Sequence, residues 1–305
     1  MGKIAFVFSG QGAQYSGMGQ ELFSLNQASA DIFKRADLIR PGTSAQCFTG
    51  TDEELAETNN TQPCMFALEL AAAAALSSSG IKPDAVAGFS LGELAALSFS
   101  GTVSFDECFH LVCRRGELMQ ADAEKADSAM AAVLKLDAET VENLCAKYEH
   151  VFPVNYNCPG QISVSGLRTE LDDFIMSVKA AGGCAVPLRV KGGFHSPFMA
   201  DAAEKFSEEL KNVCFRQPQM PLYSDYTGLP YEDDFVTLLS QQICNPVRWQ
   251  DIITHMIKNG VDTFIEIGPG NTLCRLITKS DASVRTIHVE DSTSLEMAIR
   301  EVNKC

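Results

Sequence analysis

Residues 84–100 read Asp-Ala-Val-Ala-Gly-Phe-Ser-Leu-Gly-Glu-Leu-Ala-Ala-Leu-Ser-Phe-Ser, a strand, a tight turn and a helix in immediate succession. The apolar run 84–87 suits a strand buried on both faces of a parallel sheet. A helix is predicted over 93–100. Between them Gly88-Phe-Ser-Leu-Gly92 has the form G-x-S-x-G. The glycines permit a cramped turn that pushes the Ser90 hydroxyl out above the sheet edge, as a nucleophile elbow requires. The N–H of Leu91 then heads a helix and can donate to an oxyanion.

The same unit recurs on either side. Residues 4–8 form an apolar strand, followed by the turn Ser9-Gly-Gln-Gly-Ala-Gln14 and helical spacing through Met18, Leu22 and Leu25. That turn fits neither the phosphate loop G-x-x-x-x-G-K-[ST] nor the dinucleotide fingerprint G-x-G-x-x-G. It suits a second oxyanion donor at the backbone of Gln11. Thr61-Gln-Pro63 opens a helix to about Leu76, with proline in its first turn. After residue 191 the pattern resumes: helices near 198–212, 233–243, 249–259 and 272–278, and strands at 221–224, 263–267 and 285–289. Alternation of this kind predicts an α/β fold with a parallel sheet.

The middle of the chain differs. Strands at 129–135, 151–156, 161–165 and 184–190, with helices at 138–148 and 168–181, give the order βαββαβ. That is the ferredoxin-like split βαβ unit. It predicts a small inserted subdomain at 125–191 within a large one made of 1–124 and 192–305.

Composition narrows the function. The chain has 305 residues, 46% hydrophobic and 21% charged, with Lys+Arg 24 against Asp+Glu 39 and a net charge of -15. Long-range repulsion argues against nucleic acid or an anionic membrane as partner. Met1 to Ser9 holds only a five-residue apolar run, which predicts no secretory segment and a cytoplasmic protein. Eleven cysteines with no C-x-x-C spacing predict buried thiols and no metal site.

A nucleophilic serine needs a base. His110, His150, His255 and His288 occupy ordinary positions, whereas Lys191-Gly-Gly-Phe-His-Ser-Pro-Phe198 sets His195 between a glycine pair and a helix start. Arg114 and Arg115 lie on a mainly apolar helix about 100° apart, so one can be solvated while the other faces inward. An inward guanidinium needs a carboxylate, from the protein or from a substrate.

Seven motifs in order complete the pattern: Phe6-Val-Phe-Ser-Gly-Gln-Gly-Ala-Gln14, Ala87-Gly-Phe-Ser-Leu-Gly-Glu93, Arg115-Gly-Glu-Leu-Met119, Val154-Asn-Tyr-Asn-Cys-Pro-Gly-Gln161, Gly193-Phe-His-Ser196, Asn245-Pro-Val-Arg-Trp249 and Glu266-Ile-Gly-Pro-Gly270. Together they resemble the malonyl-CoA:acyl carrier protein transacylases of fatty acid synthesis and the related polyketide acyltransferase domains. The resemblance implies an α/β-hydrolase-like large subdomain around the ferredoxin-like insert. It implies that Ser90 takes the malonyl group from a coenzyme A thioester and passes it to the phosphopantetheine thiol of an acyl carrier protein, in ping-pong fashion and without a cofactor. His195 would be the base, oriented by backbone carbonyl oxygen around Asn245 and Arg248. Gln11 and Leu91 would form the oxyanion hole, Arg115 would clamp the malonyl carboxylate, and Asn157, Gln161 and Phe194 would lie at the acyl group. Family members standing alone are commonly monomeric.

Two residues depart from the family pattern: Phe89 stands where many relatives have histidine, and Arg248 where glutamine is common. Phe89 is expected to face away from the serine. An acyl-thioester hydrolase on the same scaffold, or a trans-acting polyketide acyltransferase, is the alternative; a hydrolase of varied acyl chains would gain nothing from Arg115. An acidic carrier must dock against the overall charge, and the run 174–200, with Lys179, Arg189 and Lys191 but no Asp or Glu, is the predicted landing surface. A second basic stretch holds Arg275, Lys279 and Arg285.

Overall fold

The computed structural model describes residues 2–303. Cys305, one of the eleven cysteines, lies outside them; the ten described cysteines are all free thiols. No helix among the described residues is long and apolar enough to cross a membrane.

The first strand, β1 (Lys3–Phe8), is followed by five helices: α1 (Gln20–Leu25), α2 (Gln27–Ile39), α3 (Thr43–Thr49), α4 (Asp52–Leu55) and α5 (Thr58–Ser78). Then come β2 (Ala85–Gly88), α6 (Gly92–Phe99) and α7 (Phe105–Ala123). A second group follows: β3 (Ser128–Leu134), α8 (Ala138–Cys145), β4 (Val151–Cys158), β5 (Gln161–Leu167), α9 (Arg168–Ala180) and β6 (Cys184–Pro187). The chain ends with α10 (Ala200–Leu210), α11 (Phe235–Cys244), α12 (Trp249–Lys258), β7 (Val261–Ile267), α13 (Thr272–Ser280), β8 (Arg285–Val289) and α14 (Ser292–Val302).

Two four-stranded sheets result, a parallel one in the order β2-β1-β7-β8 and an antiparallel one in the order β4-β5-β3-β6. In the parallel sheet Phe8 pairs with Gly88 on one side and Ile267 on the other. The turns after β1, β2 and β7 therefore leave the same sheet edge, at the carboxyl ends of the strands, where open α/β sheets bind ligands. Helix α5 is buried around most of its circumference because alanines let neighbours approach from every side. Two main-chain bonds tie β4 to the segment between α11 and α12: Tyr156 N–H to the Val247 carbonyl and Val247 N–H to the Val154 carbonyl, each 2.9 Å.

Several predicted elements change. The strand expected at 221–224 is reduced to two isolated bridges, Leu222 to Val86 and Tyr223 to Pro230, because the chain turns off toward Asp225 instead of following β2. The strand expected to reach 190 stops at Pro187, with one further main-chain bond to β3, from Leu188 N–H to the Met130 carbonyl at 2.9 Å. Helix α5 begins at Thr58, so Pro63 lies in its second turn. The helix expected from 198 opens as a 3₁₀ turn, Pro197–Met199, before α10. Helices α2, α3, α4 and α14 are not foreseen; their ends are set by capping side chains and glycines that carry little periodic signal, such as Asn26 before α2 and Asp291 before α14.

Gly88 and Gly92 leave no room for a side chain. A Cβ on Gly88 would overlap the main chain of Gly92, and one on Gly92 would lie 2.6 Å from the Ser9 carbonyl oxygen. Gly88→Ala and Gly92→Ala should each cost about 1–3 kcal/mol or more, as overpacking of backbone does. An unchanged denaturation midpoint in either variant would contradict this close approach.

Candidate active site

The tight turn between β2 and α6 forces Ser90 into the left-handed region at φ 57, a conformation that costs a non-glycine residue about 1–2 kcal/mol. Its hydroxyl meets the ring of His195, Oγ to Nε2 being 2.7 Å. His195 is also left-handed, at φ 58, and follows Gly192 and Gly193. Its Nδ1 lies 2.8 Å from the carbonyl oxygen of Gln242. A carbonyl only accepts, so Nδ1 carries the proton and Nε2 is left to accept from Ser90. Burial, then the nearby Arg115 charge, lowers the His195 pKa to about 4, against the opposing effect of the Gln242 bond. The imidazole is therefore neutral at physiological pH.

Gln242 corrects an expectation. The orienting carbonyl was placed around Asn245 and Arg248, but it belongs to the last turn of α11. The reason is Pro246. In a continuing helix the Gln242 carbonyl would accept the N–H of residue 246, and proline has none. The carbonyl is thereby released to His195. Asn245 instead bonds the Gln241 carbonyl at 3.0 Å. Arg248 donates its main-chain N–H to the Asp225 carbonyl, and its side chain turns outward to Asp251 at 3.5 Å.

Of the two arginines, Arg114 is the exposed one, paired with Glu209 at 2.9 Å and Glu117 at 3.0 Å. Arg115 is 1% exposed. Its Nη2 donates to Gln242 Oε1 at 2.7 Å and to Ser90 Oγ at 3.3 Å, while Nη1 has no partner. Burial lowers its pKa to about 10, partly offset by Glu93 and Asp225, so it stays charged.

A cavity of about 260 Å³ opens on Ser90 and His195. Gln11, Asn157, Gln161 and Phe194 all line it. Among the described residues no acceptor takes the main-chain N–H of Gln11 or of Leu91. Asn157 donates to Ser163 Oγ at 3.1 Å, and Gln161 accepts from Lys279 at 3.1 Å. Phe89 packs edge-on against Trp249, with centroids 5.5 Å apart, and also borders the cavity. Gln161, Thr272 and Leu276 also border a neighbouring groove of about 690 Å³, which carries Arg275, Lys279 and His288. Lys179, Arg189 and Lys191 are exposed and stand outside both depressions; Lys191 is paired with Glu57.

Gln242 and Asp225 were missed from sequence. Gln242 reaches the site with both its carbonyl and its amide, and Asp225 accepts the Ser90 N–H. The one available signal was the proline four residues after Gln242. No group of three or more His, Cys, Asp or Glu side chains able to hold a metal exists among the described residues.

The family model described as acyl transferase domain matches residues 5–304. The chain is 38% identical over 312 residues to the malonyl CoA-acyl carrier protein transacylase of Bacillus subtilis, covering 100% of this chain and 98% of that one. It is similar to the crystal structure of malonyl CoA-acyl carrier protein transacylase from Clostridium perfringens, with TM-score 0.96, 36% identity and coverage of 99% and 98%. It is also similar to a malonyl-transacylase solved in complex with a type II polyketide synthase acyl-carrier protein, with TM-score 0.94, 31% identity and coverage of 98% and 99%.

Because the His195 imidazole is neutral down to about pH 4, phosphonylation of Ser90 by a fluorophosphonate should fall only as pH drops through about 4. A limb near 6.5, the ordinary histidine value, would contradict this. Pro246→Ala restores a competing N–H and should slow the same labelling several-fold.

Proposed function

The chain belongs to the acyl transferase domain family, and from that premise we propose that it transfers a malonyl group from malonyl-CoA to an acyl carrier protein through a malonyl-serine ester on Ser90. The observation that carries this reading is the buried Arg115, whose unpartnered Nη1 belongs to a guanidinium 3.3 Å from Ser90 Oγ. A free carboxylate on the acyl group would satisfy it. Charge-assisted hydrogen bonds contribute about 1.5–3 kcal/mol each, so a bidentate pair favours malonyl over acetyl by orders of magnitude.

In the first half-reaction His195 Nε2 takes the Ser90 proton as the oxygen attacks the thioester carbonyl. The N–H groups of Gln11 and Leu91 receive the oxyanion, and loss of one such donor typically costs about 10²–10³ in rate. The imidazolium, held by the Gln242 carbonyl, then protonates the departing coenzyme A thiolate. The second half-reaction reverses these steps with the phosphopantetheine thiol as nucleophile. Asn157, Gln161 and Phe194 shape the acyl site, and no resident cofactor takes part. The fold supports the same reading: the order β3-α8-β4-β5-α9-β6 is that of a ferredoxin-like insert at 125–191, set in a hydrolase-like unit of 1–124 and 192–305. We place the activity in the cytoplasm, on a monomer.

Mixing with malonyl-CoA should add one malonyl group by intact mass, absent in Ser90→Ala and transferable to holo-acyl carrier protein. Release of free acid without transfer would favour the hydrolase instead. Arg115→Ala should lose malonyl loading while acetyl loading persists or rises; an unchanged preference removes Arg115 from the site. For docking, Lys179→Glu and Lys191→Glu should raise the KM for carrier and leave loading from malonyl-CoA intact. Unchanged KM in both, with a rise in Lys279→Glu, would move docking to the groove.

A further inference from the structure

The main chain of the nucleophile is held by side chains. Ser90 donates its N–H to Asp225 Oδ2 at 2.6 Å, and its carbonyl accepts Gln242 Nε2 at 2.6 Å. Asp225 is wholly buried and is itself held at both ends. Its N–H donates to Glu93 Oε1 at 3.2 Å, and its carbonyl accepts the Arg248 N–H at 2.8 Å. Glu93, wholly buried on α6, also accepts the Tyr231 hydroxyl at 2.5 Å. Asp225 Oδ1, Glu93 Oε2 and Arg115 Nη1 are left as buried polar atoms without partners.

Both carboxyls act through space on the one Arg115 guanidinium. The other titratable groups around them are His195, which is neutral, and Tyr231, whose phenol burial pushes well up. Burial raises both carboxyls, Glu93 to about 7 and Asp225 well above its usual range, while their hydrogen bonds and, after them, the Arg115 charge oppose the rise. Like charges this confined do not both ionise readily. Both carboxyls are thus held toward the protonated form, so the pair carries less than its full negative charge beside Arg115.

We propose that Asp225, ordered by Glu93, is the positioning residue of this site: it holds Ser90 in the left-handed conformation that aims Oγ at His195, and it anchors the counter-charge of Arg115. The inference rests on the reading of Ser90 as the acyl-bearing residue. It has a second consequence for the substrate. A malonyl carboxylate arriving at Arg115 brings a further negative charge beside the pair, and the pair answers by taking a proton from solvent. An acetyl group brings no such charge. Malonyl loading therefore falls relative to acetyl loading as pH rises through the range of the pair.

The test is the rate of acyl-serine formation with malonyl-CoA and acetyl-CoA, followed by intact mass between about pH 5 and 9. Asp225→Ala should slow both by roughly 10²-fold, the loss expected when a nucleophile is misplaced by about an ångström. Asp225→Asn keeps an oxygen that accepts the Ser90 N–H and should recover most of that loss. It should also flatten the pH dependence of the malonyl-to-acetyl ratio. Glu93→Gln leaves Asp225 in place and should flatten the same ratio, which keeps the question open to measurement if the Asp225 variants do not fold. Overturning results are Asp225→Ala as fast as the parent, Asp225→Asn as slow as Asp225→Ala, or a ratio with the parent's pH dependence in Glu93→Gln. A parent chain that forms no acyl-serine overturns the acyltransferase reading as well; a parent that loads, with Asp225→Ala equal to it, overturns this inference alone.

Discussion

The close approach of Gly88 and Gly92 is the constraint on which the site depends. With no Cβ on either residue, the start of α6 lies flush against the end of β2 and the carbonyls of Phe8 and Ser9. That leaves a three-residue turn so cramped that Ser90 must take a positive φ. Its hydroxyl is thrown outward as a result, and the N–H of Leu91 is set at the head of a helix. Because Phe8, Gly88 and Ile267 end in register, the Gln11 turn stands beside the same edge. One steric fact thus sets the Ser90 hydroxyl beside the turn that carries Gln11, on the same cavity.

Electrostatics does the rest, and Gln242 is the hub. Its carbonyl fixes the His195 tautomer, its amide oxygen takes Arg115, and its amide nitrogen holds the Ser90 carbonyl and reaches Asp225 at 3.3 Å. A buried guanidinium is expensive unless it is paired. Here Glu93 and Asp225 offset its charge from the protein side while Nη1 is buried without a partner. That division lets a cation wait, charged and in place, beside a serine with a neutral base.

Much of this was legible in the chain itself. Ser90 and His195 each stood in a local context with a physical meaning, an elbow and a glycine-flanked loop before a helix, and the pair Arg114 and Arg115 on an apolar helix called for one inward guanidinium without saying which. The element order of both sheets followed from periodicity and turn residues. Gln242 and Asp225 were not legible, because each acts on Ser90 from more than 130 positions away, across contacts that no local pattern encodes. Residues 221–224 had the composition of a strand, but strand pairing is a property of two segments, and this one leaves β2 after a single bridge to deliver Asp225.

The sequence by itself determined the parallel α/β order, the elbow and the chemical types of its reacting groups, since glycine spacing, apolar runs and helix faces are local properties of the chain. It also set the acidic balance of -15 that any acidic partner must overcome locally. Only the tertiary structure decided which arginine is buried, which carbonyl orients the imidazole and which carboxylate grips the main chain of Ser90. Those choices arise where distant segments exclude water together, and there a hydrogen bond or a charge acquires its strength from the packing around it.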